Sequence, residues 1–306
     1  MSDVDGHRRV GFIGLGQMGR PMARRLVAAG FDVHGFDAIE QVRTAAADDG
    51  VRVAGTVEQV ARTCPVTILM LPNSDVVDAV AGRIAAVDRP ADGCRTLIDM
   101  SSSEPARTRL LSDRLEPSGI KLIDAPVSGG VSAAQAGTLT VMVGGSAEQF
   151  RAVAAWLAPI GKSVVQVGPV GAGHALKALN NLMSACSMLI TAEAMTIATK
   201  FGIEPSTALE VVNSASGRSG STEAKFPRFV LPGTFDSGFT AALMDKDVAI
   251  ATGLGRALSV DTPLAEAVAA RWHELTGQLR PGADHTEVVR PLEAKHGLEI
   301  RSHANG

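Results

Sequence analysis

Through its first half the chain alternates short apolar runs with longer amphipathic stretches, and beyond about residue 168 the short runs cease. Residues 9–13 (RVGFI), 31–36 (FDVHGF), 51–53, 95–98, 119–123, the run TLTVMVGG and residues 163–167 read as strands. Residues 65–71 (PVTILML) are apolar without alternation, the pattern of a central strand buried on both faces. Between them, residues 21–29, a stretch from Val57, one from Asp75, one from Pro105 and residues 147–157 carry helical periodicity. Strands that alternate with helices predict a parallel sheet covered on both sides.

The second half predicts helices only. Residues 171–203 form one long apolar run with very few charges and read as a buried helix, and residues 205–213, 243–259 and 263–276 follow as further helices. This places a boundary near Gly168. The expected architecture is α/β, with a doubly wound sheet in residues 1–168 and an all-helical domain in residues 169–306, built around a long interdomain helix. A polar loop over residues 214–222 and the stretch KFPRFVLPGTFDSGF separate two of the helices; residues 284–306 are charged, with a mobile end. Glu193, inside the apolar helix, reads as a paired structural carboxylate.

Composition narrows the function. The 306 residues are 45% hydrophobic and 20% charged with a formal net charge of −3, no Tyr and two Trp, so no basic footprint or stacking platform for nucleic acid is present. Cys64, Cys94 and Cys186 are odd in number and scattered, which suits core thiols in a reducing cytoplasm. The N-terminus MSDVDGHRR lacks an apolar signal core and no spanning segment is evident, so neither membrane nor export is expected. No HExxH or other metal-ligand spacing occurs, and no metal is expected.

The chemistry begins at GLGQMG. Gly14 allows a tight turn after the first strand, Gly16 lets the backbone approach a pyrophosphate, Gly19 permits close helix–strand packing, and Asp37 stands at the end of the second strand to meet a ribose. Strand, turn, helix, second strand and terminal acid fall in the order of a dinucleotide-binding fingerprint. Met18 in the turn, Leu71, Pro72 and Asn73 after the central strand, and Ser102 in the polar loop DMSSSEP are further cofactor candidates; the serines of that loop serve equally as caps for the helix from Pro105. Ser128, Gly129 and Gly130 form either a nest for a carboxylate or a plain turn. On the long helix His174, Lys177, Asn181, Ser184 and Met188 share one side. Lys177 is the residue that needs explaining, because a lysine removed from water is either paired or made a ready proton donor. Lys246, between Asp245 and Asp247, reads by itself as part of a solvated charge run.

Four segments together, GFIGLGQMGRPMA, DAPVSGG with TLTVMVGG, GAGHALKALNN and ALMDKDV, resemble the β-hydroxyacid dehydrogenases, which include 3-hydroxyisobutyrate dehydrogenases and tartronate semialdehyde reductases. The resemblance spans residues 9 to about 290. It implies a Rossmann domain followed by a helical one, and NAD-dependent oxidation of the hydroxyl β to a carboxylate. It further implies Lys177 as the catalytic lysine with Asn181 beside it, the substrate carboxylate at Ser128, Gly129 and Gly130, Lys246 near the nicotinamide, and a homodimer or homotetramer. Two departures stand out. Ser102 occupies a place where the family commonly has threonine, and Gly220 follows Arg218 and Ser219 where a bulky aromatic often stands. With Arg218 placed toward the substrate, the pocket is expected to be polar and roomy enough for a four-carbon acid such as threonate. Asp37 followed by Ala38 favours NAD over NADP. Two rivals are oxidation with decarboxylation, as in 6-phosphogluconate dehydrogenases, and a noncatalytic NAD-binding scaffold.

Overall fold

The computed structural model describes residues 9–91 and 93–302. The N-terminal segment that reads as lacking a signal core, residues 1–8, and the terminal residues 303–306 that read as mobile lie outside the described residues. Two compact units divide between Lys177 and Ala178.

The first unit begins β1 (Arg9–Ile13), α1 (Gly19–Ala28), β2 (Asp32–Phe36), α2 (Glu40–Asp48), β3 (Arg52–Val53), α3 (Val57–Thr63), β4 (Val66–Leu69) and α4 (Ser74–Ala86). It continues with β5 (Thr96–Asp99), α5 (Pro105–Leu115), β6 (Lys121–Asp124), β7 (Val127–Ser128), α6 (Gly130–Ala136), β8 (Leu139–Gly144), α7 (Ala147–Leu157) and β9 (Gly161–Gly168). The sheet order is β3-β2-β1-β4-β5-β6-β8-β7, with β9 paired to β8. The first six strands are parallel, and β8 runs antiparallel to β6. This is a Rossmann sheet, whose order reverses between β1 and β4, the place where such sheets bind ligands.

Strand periodicity decides which core each residue joins. Phe12, Ile68 and Ile98 enter one core together with Met22 and Leu26 of α1. Ile13, Leu69 and Leu97 enter the other with Val60 and Ile84. Both faces are therefore covered, which explains why β4 is buried at every position, Thr67 included.

The long helix α8 (Ala172–Phe201) starts in the first unit and ends in the second, followed by α9 (Pro205–Asn213), α10 (Ala241–Ala257), α11 (Pro263–Thr276) and α12 (Arg290–His296). Ala185, Met188, Ala192 and Met195 of α8 pack with Phe226, Met244, Val248 and Trp272 in the core of the second unit. By length and composition α8 could cross a membrane, but this packed side is that of a core helix.

Several expectations change. Helix α8 is not buried throughout: Met183, Ile190 and Ile197 are 63%, 59% and 70% exposed, and Glu193 is exposed rather than a paired core carboxylate. Length and apolarity alone do not tell a helix buried all round from one with a single buried side. The stretch read as loop contains a π-helical segment, Ser221–Val230, with Pro227 inside it. A proline lacks the N–H of a regular helix, which hid the segment from a search for α periodicity. The charged C-terminal stretch holds a 3-10 turn, His285–Val289, and α12, with Val288, Val289 and Ile300 fully buried. Cys64 and Cys94 are core thiols, and burial pushes the Cys64 thiol up to about 12. Cys186 is only half-buried.

Candidate active site

The glycine turn after β1 is constrained at two positions and open at the third. Gly14 has φ +94°, and a Cβ there would lie 2.2 Å from the Met70 carbonyl oxygen; at Gly19 it would lie 1.9 Å from that of Gly14. At Gly16 a Cβ would meet nothing within 4 Å. Packing thus accounts for Gly14 and Gly19, whereas the missing side chain of Gly16 leaves space for an approaching group. The next helix starts at Gly19 after Met18 with no side-chain cap, so its first N–H groups are suited to an anion.

Asp37 sits beside this turn. Its Oδ2 accepts the Leu15 N–H at 2.8 Å and its Oδ1 the Ile39 N–H at 2.9 Å. A carboxylate has about four lone-pair sites, so it can still accept a ribose hydroxyl. The Arg43 guanidinium donates to the Asp37 carbonyl at 2.7 Å and lies 5.8 Å from the Phe36 ring centroid. These residues fit a dinucleotide cofactor.

The carboxyl ends of β4 and β5 supply the next candidates. The Leu71 N–H donates to Ser101 Oγ at 2.9 Å, and Ser103 Oγ donates to Asp99 at 2.9 Å. Both serines are buried while Ser102 between them is half-exposed. The next helix, α5, starts at Pro105 after Glu104 with no side-chain cap, so neither Ser101 nor Ser103 has the capping role that the sequence allowed. Asn73, next to Pro72, does cap: it is the N-cap of α4, its Oδ1 accepting the Val76 N–H at 3.0 Å. Its amide nitrogen takes no part in that cap.

A buried cluster joins β6 to the start of α8. Asp124, the last residue of β6, accepts the Gly171 N–H at 2.7 Å and the His174 N–H at 2.9 Å. Two glycines make room for it: a Cβ on Gly144 would lie 2.3 Å from its carboxylate, and one on Gly173 2.9 Å. His174 Nδ1 is 2.8 Å from Thr108 Oγ1, and its Nε2 is 3.7 Å from Asp99. His174 therefore has a structural place. Four residues past Asp124 stands Ser128, followed by Gly129 and Gly130 with φ +137° and +71°; a Cβ at Gly130 would again meet nothing within 4 Å. Lys177 is half-buried, one turn beyond His174.

In the second unit Asn181 is buried, and its Nδ2 donates to Asp247 Oδ2 at 2.5 Å. Asp247 is 1% exposed, and its other oxygen is 3.1 Å from Lys246 Nζ. The Asp-Lys-Asp run is therefore not a solvated face. Asp247 is the functional candidate that sequence reading passed over. Its signal was there: Met244, Asp247, Val248 and Ala251 form the buried stripe of α10, and an acid on such a stripe needs partners. Arg218, expected near the substrate, is exposed on its loop 3.6 Å from Glu223. Gly220 is also exposed. Among the described residues no cluster of His, Cys, Asp and Glu suits a metal ion.

Residues 9–168 match the family described as the NAD binding domain of 6-phosphogluconate dehydrogenase, and residues 171–292 match that described as NAD-binding of NADP-dependent 3-hydroxyisobutyrate dehydrogenase. The 2-(hydroxymethyl)glutarate dehydrogenase of Eubacterium barkeri is 38% identical over 95% of this chain and 97% of its own. The chain belongs to the β-hydroxyacid dehydrogenase family. Human mitochondrial 3-hydroxyisobutyrate dehydrogenase is 37% identical over 79% of this chain and 74% of its own. The structure of Mycobacterium tuberculosis 3-hydroxyisobutyrate dehydrogenase with L-serine superposes with a TM-score of 0.86 at 32% identity, covering 93% and 99% of the two chains. As a β-hydroxyacid dehydrogenase the chain is a nicotinamide-dependent oxidoreductase of hydroxy acids.

Proposed function

We propose that the chain oxidises a short 3-hydroxy acid of the 3-hydroxyisobutyrate type with NAD as acceptor, and that Lys177 is the general acid/base. The observation that carries this reading is the Asp124 cluster. One carboxylate ties the first turn of the Lys177 helix to the strand that leads directly into Ser128, Gly129 and Gly130. Carboxylate nest and lysine thereby share one support. Ser128 and the N–H groups of Gly129 and Gly130 would grip the substrate carboxylate, and Lys177 Nζ would take the hydroxyl proton. Asn181 would hold the same oxygen, itself oriented by Asp247. Gly14, Gly16, Met18, Gly19, Asp37, Leu71, Pro72, Asn73, Ser102 and Lys246 would hold the nicotinamide cofactor, which would supply a hydride acceptor. General acid–base help of this kind contributes roughly 10²–10⁴-fold.

NAD is the preferred form in this reading, because Asp37 would repel a 2′-phosphate and Arg43 is engaged by backbone carbonyls. Steady-state kinetics with both cofactors on 3-hydroxyisobutyrate, threonate and their methyl esters test these points together. NAD is expected to exceed NADP in kcat/KM by at least about tenfold, the equivalent of 1.4 kcal/mol, and the esters are expected to be inert. Active esters would refute the carboxylate nest, and a preference for NADP would show that Arg43 outweighs Asp37.

We further propose a homo-oligomer working in the cytoplasm. Leu176, Met183, Ile190 and Ile197 recur every seven residues along α8 and are all exposed, the spacing of a helix–helix seam. In sedimentation the protein is expected as a dimer or tetramer and Ile190→Glu as a smaller species; a monomeric wild type would remove this reading.

A further inference from the structure

The ring of His174 is a buried group that the proposed chemistry does not use. It is 1% exposed and stands in the first turn of α8, one turn before Lys177. Its Nδ1 is 2.8 Å from Thr108 Oγ1 of α5. That hydroxyl can donate or accept, so it suits the nitrogen with or without a proton. Nε2 is different. It is fully buried, has no hydrogen-bond partner among the described residues, and faces Asp99 Oδ2 at 3.7 Å. A lone pair pointed at a carboxylate is repelled and an N–H is attracted, so the ring carries a proton on Nε2. The distance is too long for a hydrogen bond, but a buried contact of this length is only weakly screened. Packing alone does not call for a buried donor here, since leaving one without a full hydrogen bond is costly.

Asp99 links this ring to the cofactor side. It is the last residue of β5 and 1% exposed, and its carboxylate shapes the loop that follows. Its Oδ1 accepts the Ser101 N–H at 3.0 Å and its Oδ2 the Ser103 hydroxyl at 2.9 Å. Ser101 Oγ in turn accepts the Leu71 N–H at 2.9 Å. Leu71, and Ser102 between the two serines, are among the residues read above as cofactor contacts. The main chain of His174 is tied elsewhere, its N–H donating to Asp124 at the end of β6. One residue thus touches both the support of the cofactor loop and the strand that leads to Ser128. All of these groups lie in the first unit, which ends at Lys177.

Resting on the dehydrogenase reading above, we propose that His174 is a positioning residue, whose Nε2 N–H holds Asp99 and with it the cofactor loop at a fixed place relative to Lys177.

Two substitutions separate the two sides of the ring. His174→Gln sets an amide nitrogen near the place of Nε2 and keeps a donor toward Asp99, whereas His174→Asn sets one near the place of Nδ1 and keeps only the contact with Thr108. Fluorescence titration of NAD, melting temperature and steady-state kinetics with 3-hydroxyisobutyrate are measured on each. His174→Asn is expected to bind NAD about 10-fold more weakly and to lose a similar factor in kcat, the lower end of the range for a hydrogen bond to a charged group, with an unchanged KM for the acid. His174→Gln is expected to restore most of both. Equal losses in the two variants, or losses that follow the melting temperature alone, overturn the proposal and leave His174 as a brace. So does wild-type NAD affinity in His174→Asn. If neither variant folds, the wild type decides: ring-nitrogen NMR with isotope-labelled histidine is expected to show a proton on Nε2 whose signal shifts when NAD binds, and a bare Nε2 or a signal indifferent to NAD overturns the proposal. A difference between the variants in NAD binding, in a protein that oxidises no hydroxy acid, would sink the dehydrogenase reading and leave the role of His174 standing. Turnover with no difference between them would do the reverse.

Discussion

Lys177→Ala is expected to lower kcat by roughly 10²–10⁴-fold, the usual contribution of a general acid or base, while folding and cofactor binding are kept. Lys177 is half-buried on a helix whose start is fixed by Asp124, through the Gly171 and His174 N–H groups. Its removal leaves the glycine turn and Asp37 untouched. Alanine is also the best helix former, so α8 should persist. The loss is expected in kcat with little change in KM, because the proposed carboxylate grip at Ser128, Gly129 and Gly130 does not involve the lysine. Single-turnover kinetics and cofactor fluorescence titration read the two quantities separately. A near wild-type kcat would remove the lysine from the chemistry, and a protein that no longer binds cofactor would give it a structural role.

The second large effect is expected at Asp124, as a loss of stability. The carboxylate is fully buried and receives two backbone N–H groups. Hydrogen bonds to a charged group are each worth about 1.5–3 kcal/mol, and a buried donor left without a partner costs about 1–3 kcal/mol. In Asp124→Asn the shape is retained, but whichever way the amide is turned its NH₂ faces one of the two N–H donors. A destabilisation of about 3 kcal/mol follows, read as a fall of about 1 M or more in the urea midpoint. Activity should fall as well, since the helix bearing Lys177 loses its tie to the strand that leads into the proposed nest. An unchanged midpoint would mean that α8 is anchored elsewhere.

Much of this arrangement is legible in the chain because it depends on local rules. The alternation of runs gives the Rossmann unit, and the six-residue glycine turn is set by backbone conformations only glycine adopts comfortably, as at Gly14. The almost continuous apolar run over residues 65–71 gives β4 its central place. Helices α9 and α11 match their expected bounds, since each opens with a proline, Pro205 and Pro263, where a proline is tolerated. Lys177 and Asn181 are found from helical spacing and from the family resemblance together.

What the sequence by itself determined is therefore the type of most elements, the α/β class of the first half and the residues that face one another along a single helix, all properties with a short repeat. Only the tertiary structure decided which polar residues meet across the chain. Asp124 and His174 are 50 positions apart, Asn181 and Asp247 are 66 apart, and Ser184 and Lys225 are 41 apart. No periodicity links such pairs. Their meeting is dictated by the packing of whole elements, and the need of a buried charge for partners becomes visible only when burial is known. The exposed stripe of α8 was hidden for the same reason: an apolar side chain reads alike in sequence whether its neighbour is its own core or solvent.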